Sequence, residues 1–424
     1  MSDQPTLETS PEPTIRSLVL TVYLPSFLFA TGQGAVIPVV ALTATDLGAS
    51  AAIASLAVAA RGIGTMAFDL PAGVLVERLG ERRAMAIGTA VLVASLVGCL
   101  VSPTVWLFLA SMFLMGCGWA VWLLARLTYV TEVMPFHLRG RALSTLGGVQ
   151  RIGNFVGPFV GAAAILWLDL AGAYWVHIAL AVAGWLVLAL VSDPHRSPHA
   201  VSGHTAPPVL RIMSEHRRVF LTAGVGATCL GVLRVSRHAI IPLWGAHIGL
   251  DAAAISVIFG ISSAMDMTLF YPAGMVSDRF GRKAIAVPCL TILALGFLIV
   301  PLTSTFWTLT MAGLVMGFGN GMGSGIIMTL GADFSPVIGR ASFLGVWRLV
   351  SDAGQAGGPL VAAGITALAG LGPASLFVGV LGMGGAAMFL LAMPEPVHAA
   401  RADLPSSGRH TDASPPDEGS RLSR

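Results

Sequence analysis

Long apolar runs alternate with short polar segments along most of the chain. Twelve of these runs reach about 20 residues, the length that a helix needs to cross the hydrocarbon core of a membrane. We therefore predict twelve membrane-spanning helices and number them spans 1 to 12. In chain order the spans cover residues 17–42, 51–76, 84–102, 105–127, 142–167, 173–192, 219–245, 253–276, 284–302, 305–330, 342–368 and 375–393.

The segments between the spans alternate between two kinds. The first kind carries Arg or Lys together with acids, and it comprises residues 77–83, 132–141, 193–218, 278–283 and 333–340. The second kind is short and lacks Arg and Lys, and it comprises the surroundings of Asp46 and Asp169 and residues 102–104, 247–251, 303–304 and 369–373. Basic segments stay in the cytoplasm. We therefore expect a multi-pass protein of a bacterial cytoplasmic membrane, with both termini and all five charged segments inside.

Composition agrees with a membrane protein and narrows the possible chemistry. Hydrophobic residues make up 55% of the chain and charged residues 11%, whereas soluble proteins carry about 25% charged residues. The four cysteines lie singly in apolar runs, which argues against a disulfide or a zinc site. No basic tract indicates nucleic-acid binding, and no phosphate-loop motif indicates a nucleotide-driven pump. We predict no cofactor, no metal and no enzymatic activity.

Polar stretches outside the spans are expected to be tails and a linker. Residues 1–16 lack the features of a signal peptide, so span 1 is expected to remain in the mature protein. Residues 394–424 are rich in Pro, Ser and Arg and are expected to form a disordered cytoplasmic tail. Three histidines of the linker 193–218 could bind a metal, although we interpret the segment as a solvated linker: His195, His199 and His204.

The chain repeats itself at an offset of 201 residues, as matching positions show. The matches are Pro71-Ala72-Gly73 with Pro272-Ala273-Gly274, Arg78 with Arg279, Gly80 with Gly281, Met115-Gly116 with Met316-Gly317, Pro135 with Pro336, Arg139 with Arg340, and Gly153, Gly157 and Pro158 with Gly354, Gly358 and Pro359. Parallel repeats are a recognised plan of secondary transporters. The predicted fold is therefore an all-α membrane protein with two pseudo-symmetric six-helix halves, residues 17–192 and 219–393.

The charged segment after span 2 resembles the signature loop of the major facilitator superfamily. That pattern has a glycine, an acid four residues later, then an arginine, a glycine and a basic pair. The first copy consists of Gly73, Glu77, Arg78, Gly80 and Arg82, and the second copy, after span 8, consists of Gly274, Asp278, Arg279, Gly281 and Arg282. The resemblance implies the twelve-helix major facilitator fold and transport by alternating access. It also implies a gate in which Glu77, near Asp69, latches the two halves together. The alternative is that these charges only mark topology.

A glycine-rich pattern in span 5 resembles the motif of the drug:proton antiporters in this superfamily. It consists of Gly153, Gly157, Pro158 and Gly161. The repeated copy in span 11 also allows a purely architectural interpretation, in which glycines let helices approach closely. One feature departs from the antiporter pattern, because the arginine expected early in span 4 is missing and Arg126 comes later in the span.

Nine charged residues lie inside the predicted spans, where charges are costly and usually functional. They are Arg61, Asp69, Arg126, Arg151, Arg234, Arg237, Asp266, Arg348 and Asp352. In the superfamily, span 5 faces span 8 and span 2 faces span 11, which implies the pairs Arg151–Asp266 and Asp69–Arg348. Arg348 could instead pair with Asp352 four residues later on the same helix. Either pairing could also be permanent and purely structural.

A proton-coupled transporter needs a carboxylate that binds a proton when its cationic partner leaves. Asp266 is the first candidate for this role and Asp352 the second. Arginines outnumber acids inside the spans, which favours an anionic, zwitterionic or neutral amphipathic substrate. The cavity is expected to include Gln33, Arg61, Arg126, Arg234, Arg237 and Asn320. Arg234 and Arg237 are expected to contact the substrate, although they could instead line a gate and bind carbonyl groups.

The sequence as a whole predicts a proton-coupled exporter of small amphipathic compounds. The alternative is a proton symporter that takes up an organic anion or another small metabolite. A non-transporting receptor would require a soluble signalling domain, and we predict none, because the spans and their connections account for most of the sequence. The expected partners are a small-molecule substrate, protons and the lipid bilayer, and the protein is expected to be a monomer that binds no nucleic acid.

Overall fold

The computed structural model describes residues 18–190, 209–336 and 340–393, and these residues form an all-helical protein without strands. The predicted tails 1–16 and 394–424 lie outside the described residues. So does most of the predicted linker, including His195, His199 and His204. The described part of the linker contains the short helix Val209–Glu215.

Twelve long helical segments follow one another along the described chain. They are α1 Val19–Asp46, α2 Ala51–Leu79, α3 Glu81–Leu100, α4 Val105–Val133, α5 136–167, α6 170–190, α7 Arg217–His247, α8 Ala252–Phe280, α9 Lys283–Leu302, α10 Phe306–Phe334, α11 Arg340–Ala369 and α12 Leu371–Leu391. Among the described residues, ten continuous helices have the length and composition of a membrane span. One of these contains both α5 and α6, and α11 is a further helix of 30 residues outside the ten, so the structure is consistent with the twelve predicted spans.

Irregular backbone interrupts or separates several of the described helices. A π-helical turn, Val19–Tyr23, opens α1, and a 3-10 turn, Ile37–Val39, lies further along it. Between α5 and α6 the chain turns at Asp169, which has a φ of 50°. Helix α10 stops at Met322 and restarts at Ile326, and Gly325 between them has a φ of 84°. Such a positive φ favours glycine, because a side chain would clash with the backbone.

Several helix ends are set by local chemistry that the apolar pattern does not contain. On one side of the bundle, Ser50, Thr104, Asp251 and Thr305 cap α2, α4, α8 and α10, each accepting a backbone N–H bond three residues later. Capping residues of this kind satisfy amides that a helix start leaves unpaired. We call the other side of the bundle, which holds Arg78–Arg83 and Arg279–Lys283, the basic side.

On the basic side the helices run beyond the predicted apolar spans. Helix α2 continues to Leu79 and α8 to Phe280, so Glu77 and Asp278 lie in the last helical turn and not in a loop. Gly80 and Gly281 end these helices with φ values of 80° and 94°. The predicted boundaries were too short here, because a membrane helix can extend beyond the hydrocarbon core into the polar interface.

Two clusters of buried apolar side chains lie within the bundle. One cluster draws almost entirely on α1–α6 and the other almost entirely on α7–α12. On the side opposite the basic side, each cluster includes a residue from the other half. Leu42 of α1 belongs to the second cluster, and Leu243 of α7 belongs to the first. The halves also pack against each other along α2 with α11 and along α5 with α8.

Glycine contacts reproduce the sequence repeat in three dimensions. A Cβ added to Gly157 would meet the carbonyl oxygen of Thr31, and one added to Gly358 would meet that of Val232. The contacts have the same 201-residue offset, since Thr31 and Val232 are themselves 201 residues apart. The same relation holds between Gly153 near Phe27 and Gly354 near Thr228, Gly116 near Arg61 and Gly317 near Ser262, and Gly118 near Leu92 and Gly319 near Leu293.

We expect the substitution Gly157→Ala to destabilise the protein by about 1–3 kcal/mol, because overpacking forces α5 away from α1. Gly148 on the same helix is the matched control, since nothing lies within 4 Å of an added Cβ there. Gly148→Ala should be neutral or stabilising by up to about 1 kcal/mol. Thermal unfolding of the purified proteins in detergent measures both effects, and equal changes in the two variants would contradict this packing.

Candidate functional site

The shortest ion pair between the two halves involves the carboxylate of Asp266 in α8. Its Oδ1 lies 2.9 Å from Nη1 of Arg151 in α5. The Nδ2 of Asn320 in α10 donates to Oδ2 at 2.6 Å, and the hydroxyl of Ser324 donates to Oδ1 at 3.4 Å. The pair is largely shielded, with 24% of the Arg151 side chain and 17% of the Asp266 side chain exposed. The structure thus brings Arg151, Asp266 and Asn320 together.

The break in α10 lies directly beside this carboxylate. Arg234 of α7 donates from Nη2 to the carbonyl oxygen of Gly323 at 2.6 Å, which satisfies an acceptor that the interrupted helix leaves open. Gly321 packs against the backbone of Asp266 so closely that a Cβ there would lie 2.9 Å from its Cα. Ser324 lies inside the break and also bonds the carboxylate. A change at Asp266 therefore acts directly on the irregular part of α10.

A second charged cluster surrounds Arg348 of α11. Its Nη2 lies 3.3 Å from Oδ1 of Asp69 in α2, and its Nε lies 3.3 Å from Oδ2 of Asp352. Gln355 donates to the other oxygen of Asp352 at 2.7 Å. The contact between the halves and the contact within α11 are thus present together. Arg151 and Asp352 occupy equivalent repeat positions, 201 residues apart, with opposite charge.

Four of the six arginines inside the predicted spans form no ion pair with a described carboxylate: Arg61, Arg126, Arg234 and Arg237. Arg126 is 2% exposed, and its Nε and Nη1 have no hydrogen-bond acceptor among the described residues. The Nε atoms of Arg234 and Arg237 are likewise buried without an acceptor. Burying an unpaired charge is costly, so these side chains mark places where water or a ligand is needed.

An aromatic surface on α1 and α4 separates two of these arginines. Phe29 stacks on Trp122 with ring centroids 4.1 Å apart, and Trp119 lies 5.6 Å from Trp122. The guanidinium of Arg126 lies 4.3 Å from the Trp122 ring, and that of Arg61 lies 5.6 Å from the Trp119 ring. Because positions 119, 122 and 126 share one face of a helix, the arrangement follows from the sequence of α4.

Sequence reasoning missed several polar residues near this centre. His177 of α6 is buried, its ring contacts the Phe29 ring edge-on at 5.5 Å, and neither ring nitrogen has a partner in the described structure. Gln150 accepts from Nη2 of Arg126 at 3.4 Å. The carbonyl oxygen of the Asn154 side chain is also buried without a donor, as are those of Gln33 and Asn320, which the sequence analysis had already named. A search for every polar residue in the spans, beyond the charged ones, would have found this set.

The signature-loop residues form different contacts in the two copies. In the second copy, Arg282 reaches Asp278 and Asp333, each at 2.7 Å, and so ties the α8–α9 turn to the end of α10. Burial lowers the pKa of Arg282, but the hydrogen bonds to the two carboxylates outweigh this effect and raise the pKa above its ordinary value. In the first copy, Arg82 donates to the carbonyl of Leu188.

The remaining loop residues are exposed or form weaker contacts. Glu77 is exposed and forms no ion pair with any described residue, so its role as a latch stays a prediction. Arg78 is exposed at the end of α2. The guanidinium of Arg279 lies 5.3 Å from the Phe280 ring. Gly73 has only loose contact with α4, and nothing lies within 4 Å of a Cβ at Gly274.

The glycine motif of α5 packs on α1 along its whole length. Added Cβ atoms at Gly153 and Gly161 would lie 2.7 Å from the Cβ of Ala30 and 3.0 Å from the Cα of Ala35. Pro158 follows Gly157 and contacts α1 at Gly34. The motif therefore fixes the distance between α1 and α5, and with it the position of Arg151 on the opposite face.

Comparison with known protein families identifies this chain. The sequence model of the Major Facilitator Superfamily matches residues 22–235 and 237–421. The chain belongs to the Major Facilitator Superfamily. It is therefore a membrane transporter and not an enzyme.

Relatives and solved structures agree with this assignment. The chain is 24% identical over 328 residues to the multidrug resistance protein MdtH of Yersinia pestis, covering 76% of this chain and 80% of that protein. It is 24% identical over 284 residues to the uncharacterized MFS-type transporter YfkF of Bacillus subtilis, covering 66% and 70%. The fold resembles a D-xylose–proton symporter at a TM-score of 0.71 and 17% identity, covering 91% and 99%. It also resembles the nucleoside transporter NupG at a TM-score of 0.73 and 15% identity, covering 89% and 100%.

We expect Arg348→Gln to destabilise the protein by about 1–3 kcal/mol, because it leaves two neighbouring carboxylates without their shared cation. Asp352→Asn keeps the contact between Arg348 and Asp69 and should cost less than about 1 kcal/mol. The double variant should recover part of the loss. Thermal unfolding in detergent measures the three values, and an equal loss in both single variants would show that the cluster does not act as a unit.

Proposed function

We propose that the protein is a proton-coupled secondary transporter that exports small amphipathic compounds by alternating access. It works as a monomer in the bacterial cytoplasmic membrane, with both termini and the basic side in the cytoplasm. Its moving parts are the halves 17–192 and 219–393. The Asp266 carboxylate, which pairs with Arg151 across the boundary between these halves, is the observation that carries the proposal.

The proposed coupling between protonation and movement of the halves depends on which half each partner of Asp266 belongs to. Asn320 and Ser324 belong to the same half as Asp266, whereas Arg151 belongs to the other half. When the halves move apart, the carboxylate keeps its neutral hydrogen-bond partners and loses its cation. A shielded carboxylate without a cation binds a proton more readily. Movement of the halves and protonation of Asp266 are therefore linked in this proposal.

Asp352 supplies a second place for a proton. It shares Arg348 with Asp69, so two carboxylates compete for one guanidinium. Separation of α2 from α11 would break the contact between Arg348 and Asp69 and leave Arg348 paired with Asp352 alone. This movement changes the charge that surrounds the Asp352 carboxylate. Asp352 remains the second candidate because its cation lies on the same helix.

Export is supported by the name of a relative and by the motif of α5. One relative is a multidrug resistance protein, MdtH, and Gly153, Gly157, Pro158 and Gly161 resemble the drug:proton antiporter motif. The second candidate function is uptake of an organic anion together with protons. It is favoured by one specific observation, the four arginines without carboxylate partners, which suit an anionic substrate better than a cationic one.

Inside-out membrane vesicles with an acid interior and an internal pH dye test the function directly. Cationic drugs and organic anions are added one at a time, and the proposal predicts that at least one compound drives proton exit only when the protein is present. A compound that crosses with protons in the same direction would support the uptake symporter. Labelled compounds that cross without any proton movement would contradict proton coupling.

In the same assay, Asp266→Asn should reduce substrate-driven proton exit at least tenfold while leaving passive substrate exchange measurable. The matched control is Asp251→Asn on the same helix, where Asp251 caps the helix start and Asn caps equally well. The control should keep proton movement within about twofold of the unmodified protein. Proton-driven accumulation by the Asp266→Asn protein would overturn the assignment of Asp266.

A further inference from the structure

We propose that the substrate is a planar aromatic anion and that it binds in the first half, on a strip formed by Arg61, Trp119, Trp122 and Arg126. This inference rests on the proposed transport function and names the substrate class. It places the anion contact on α2 and α4, whereas the sequence favoured Arg234 and Arg237 on α7. The carboxylate of the substrate would bind a guanidinium, and its ring would lie against the tryptophans.

Arg126 provides the anion contact of this strip. It is 2% exposed, two of its three nitrogens have no acceptor among the described residues, and the third reaches Gln150 only at 3.4 Å. Within the predicted spans of the first half the one acid is Asp69, and its contact is with Arg348 of the other half. An arginine in this position can take an anion from outside the chain, because a buried guanidinium binds a carboxylate strongly and specifically.

The aromatic side chains set the shape of the substrate. Trp122 has the Arg126 guanidinium at 4.3 Å and the Phe29 ring stacked at 4.1 Å. Trp119 continues the surface towards Arg61 and is partly exposed, so a ligand can reach it first. Flat aromatic groups stack favourably on tryptophan. Guanidinium groups at both ends and rings between them suit a flat ring that carries a carboxylate.

The arginines of α7 are less suited to the first anion contact. Arg234 already donates to the Gly323 carbonyl at 2.6 Å and so holds the break in α10. Arg237 interacts electrostatically with Asp266. Arg61 and Arg126 form no ion pair with a described carboxylate, and the Arg126 guanidinium bonds the side-chain carbonyl of Gln150 only at 3.4 Å.

Equilibrium binding of radiolabelled 1-naphthoate to the purified full-length protein in detergent tests the proposal. The unlabelled competitors are 1-naphthamide, which is neutral with the same ring, and cyclohexanecarboxylate, which is an anion without an aromatic ring. We expect 1-naphthoate to bind at least tenfold more tightly than either competitor. Equal affinity for the anion and the amide would overturn the proposal without any variant being needed.

Two pairs of variants assign the contacts. Arg126→Gln should weaken 1-naphthoate binding at least tenfold and abolish the preference over the amide, whereas Arg217→Gln, at an exposed arginine of α7, should change neither. Trp122→Phe should weaken binding several-fold, and Trp185→Phe, at a residue 41% exposed on α6, should not. If Arg126 were only structural, Arg126→Gln would lower the thermal stability and keep the preference for the anion, which would overturn the proposal.

The test separates this inference from the proposed function, since binding in detergent needs no proton gradient. If other compounds drive protons through Asp266 in vesicles and 1-naphthoate does not bind, the anion site is wrong and proton coupling stands. If 1-naphthoate binds through Arg126 and Asp266→Asn still couples protons, the anion site stands and the coupling assignment is wrong.

Discussion

A carboxylate shielded from water inside a membrane needs a cation beside it, and in this protein that requirement joins the two halves. Asp266 finds its cation, Arg151, on the other half at 2.9 Å. Its remaining hydrogen bonds come from α10 at the point where that helix is interrupted. One side chain therefore connects the boundary between the halves with the least regular part of the fold. The attraction between two opposite charges is stronger inside a membrane than at a surface, and a buried charge left without its partner is costly.

The contact can form only because the helices on either side are held at fixed distances. Glycines at equivalent positions place α5 on α1 and α11 on α7, each against a backbone carbonyl of its partner. The same repeat gives Arg151 and Asp352 equivalent positions with opposite charges. The two boundaries between the halves, α5 with α8 and α2 with α11, therefore share one geometry and differ in charge. Close backbone packing at small residues is how membrane helices achieve such precision.

Much of this architecture could be predicted from the sequence, because hydropathy, the 201-residue repeat and the signature loop all depend on regular patterns. The positions of Arg151 opposite Asp266 and Asp69 opposite Arg348 followed from the resemblance to a known family. The break in α10 was not predicted, although Gly323 and Gly325 flank Ser324 there and provide a signal. His177 and Gln150 were missed because they carry no fixed charge. The extension of α2 and α8 to Gly80 and Gly281 depends on interfacial helix ends, which hydropathy alone does not define.

The central claim is that Asp266 exchanges a proton as the substrate binds. The most direct measurement counts the protons released or taken up when a transported compound from the vesicle panel is added to purified protein in weak buffer. We expect a change of about one proton per bound molecule in the unmodified protein and almost none in Asp266→Asn. Release would indicate exchange of substrate for protons, and uptake would indicate symport. The same proton change in both proteins would show that Asp266 is not the group that exchanges the proton.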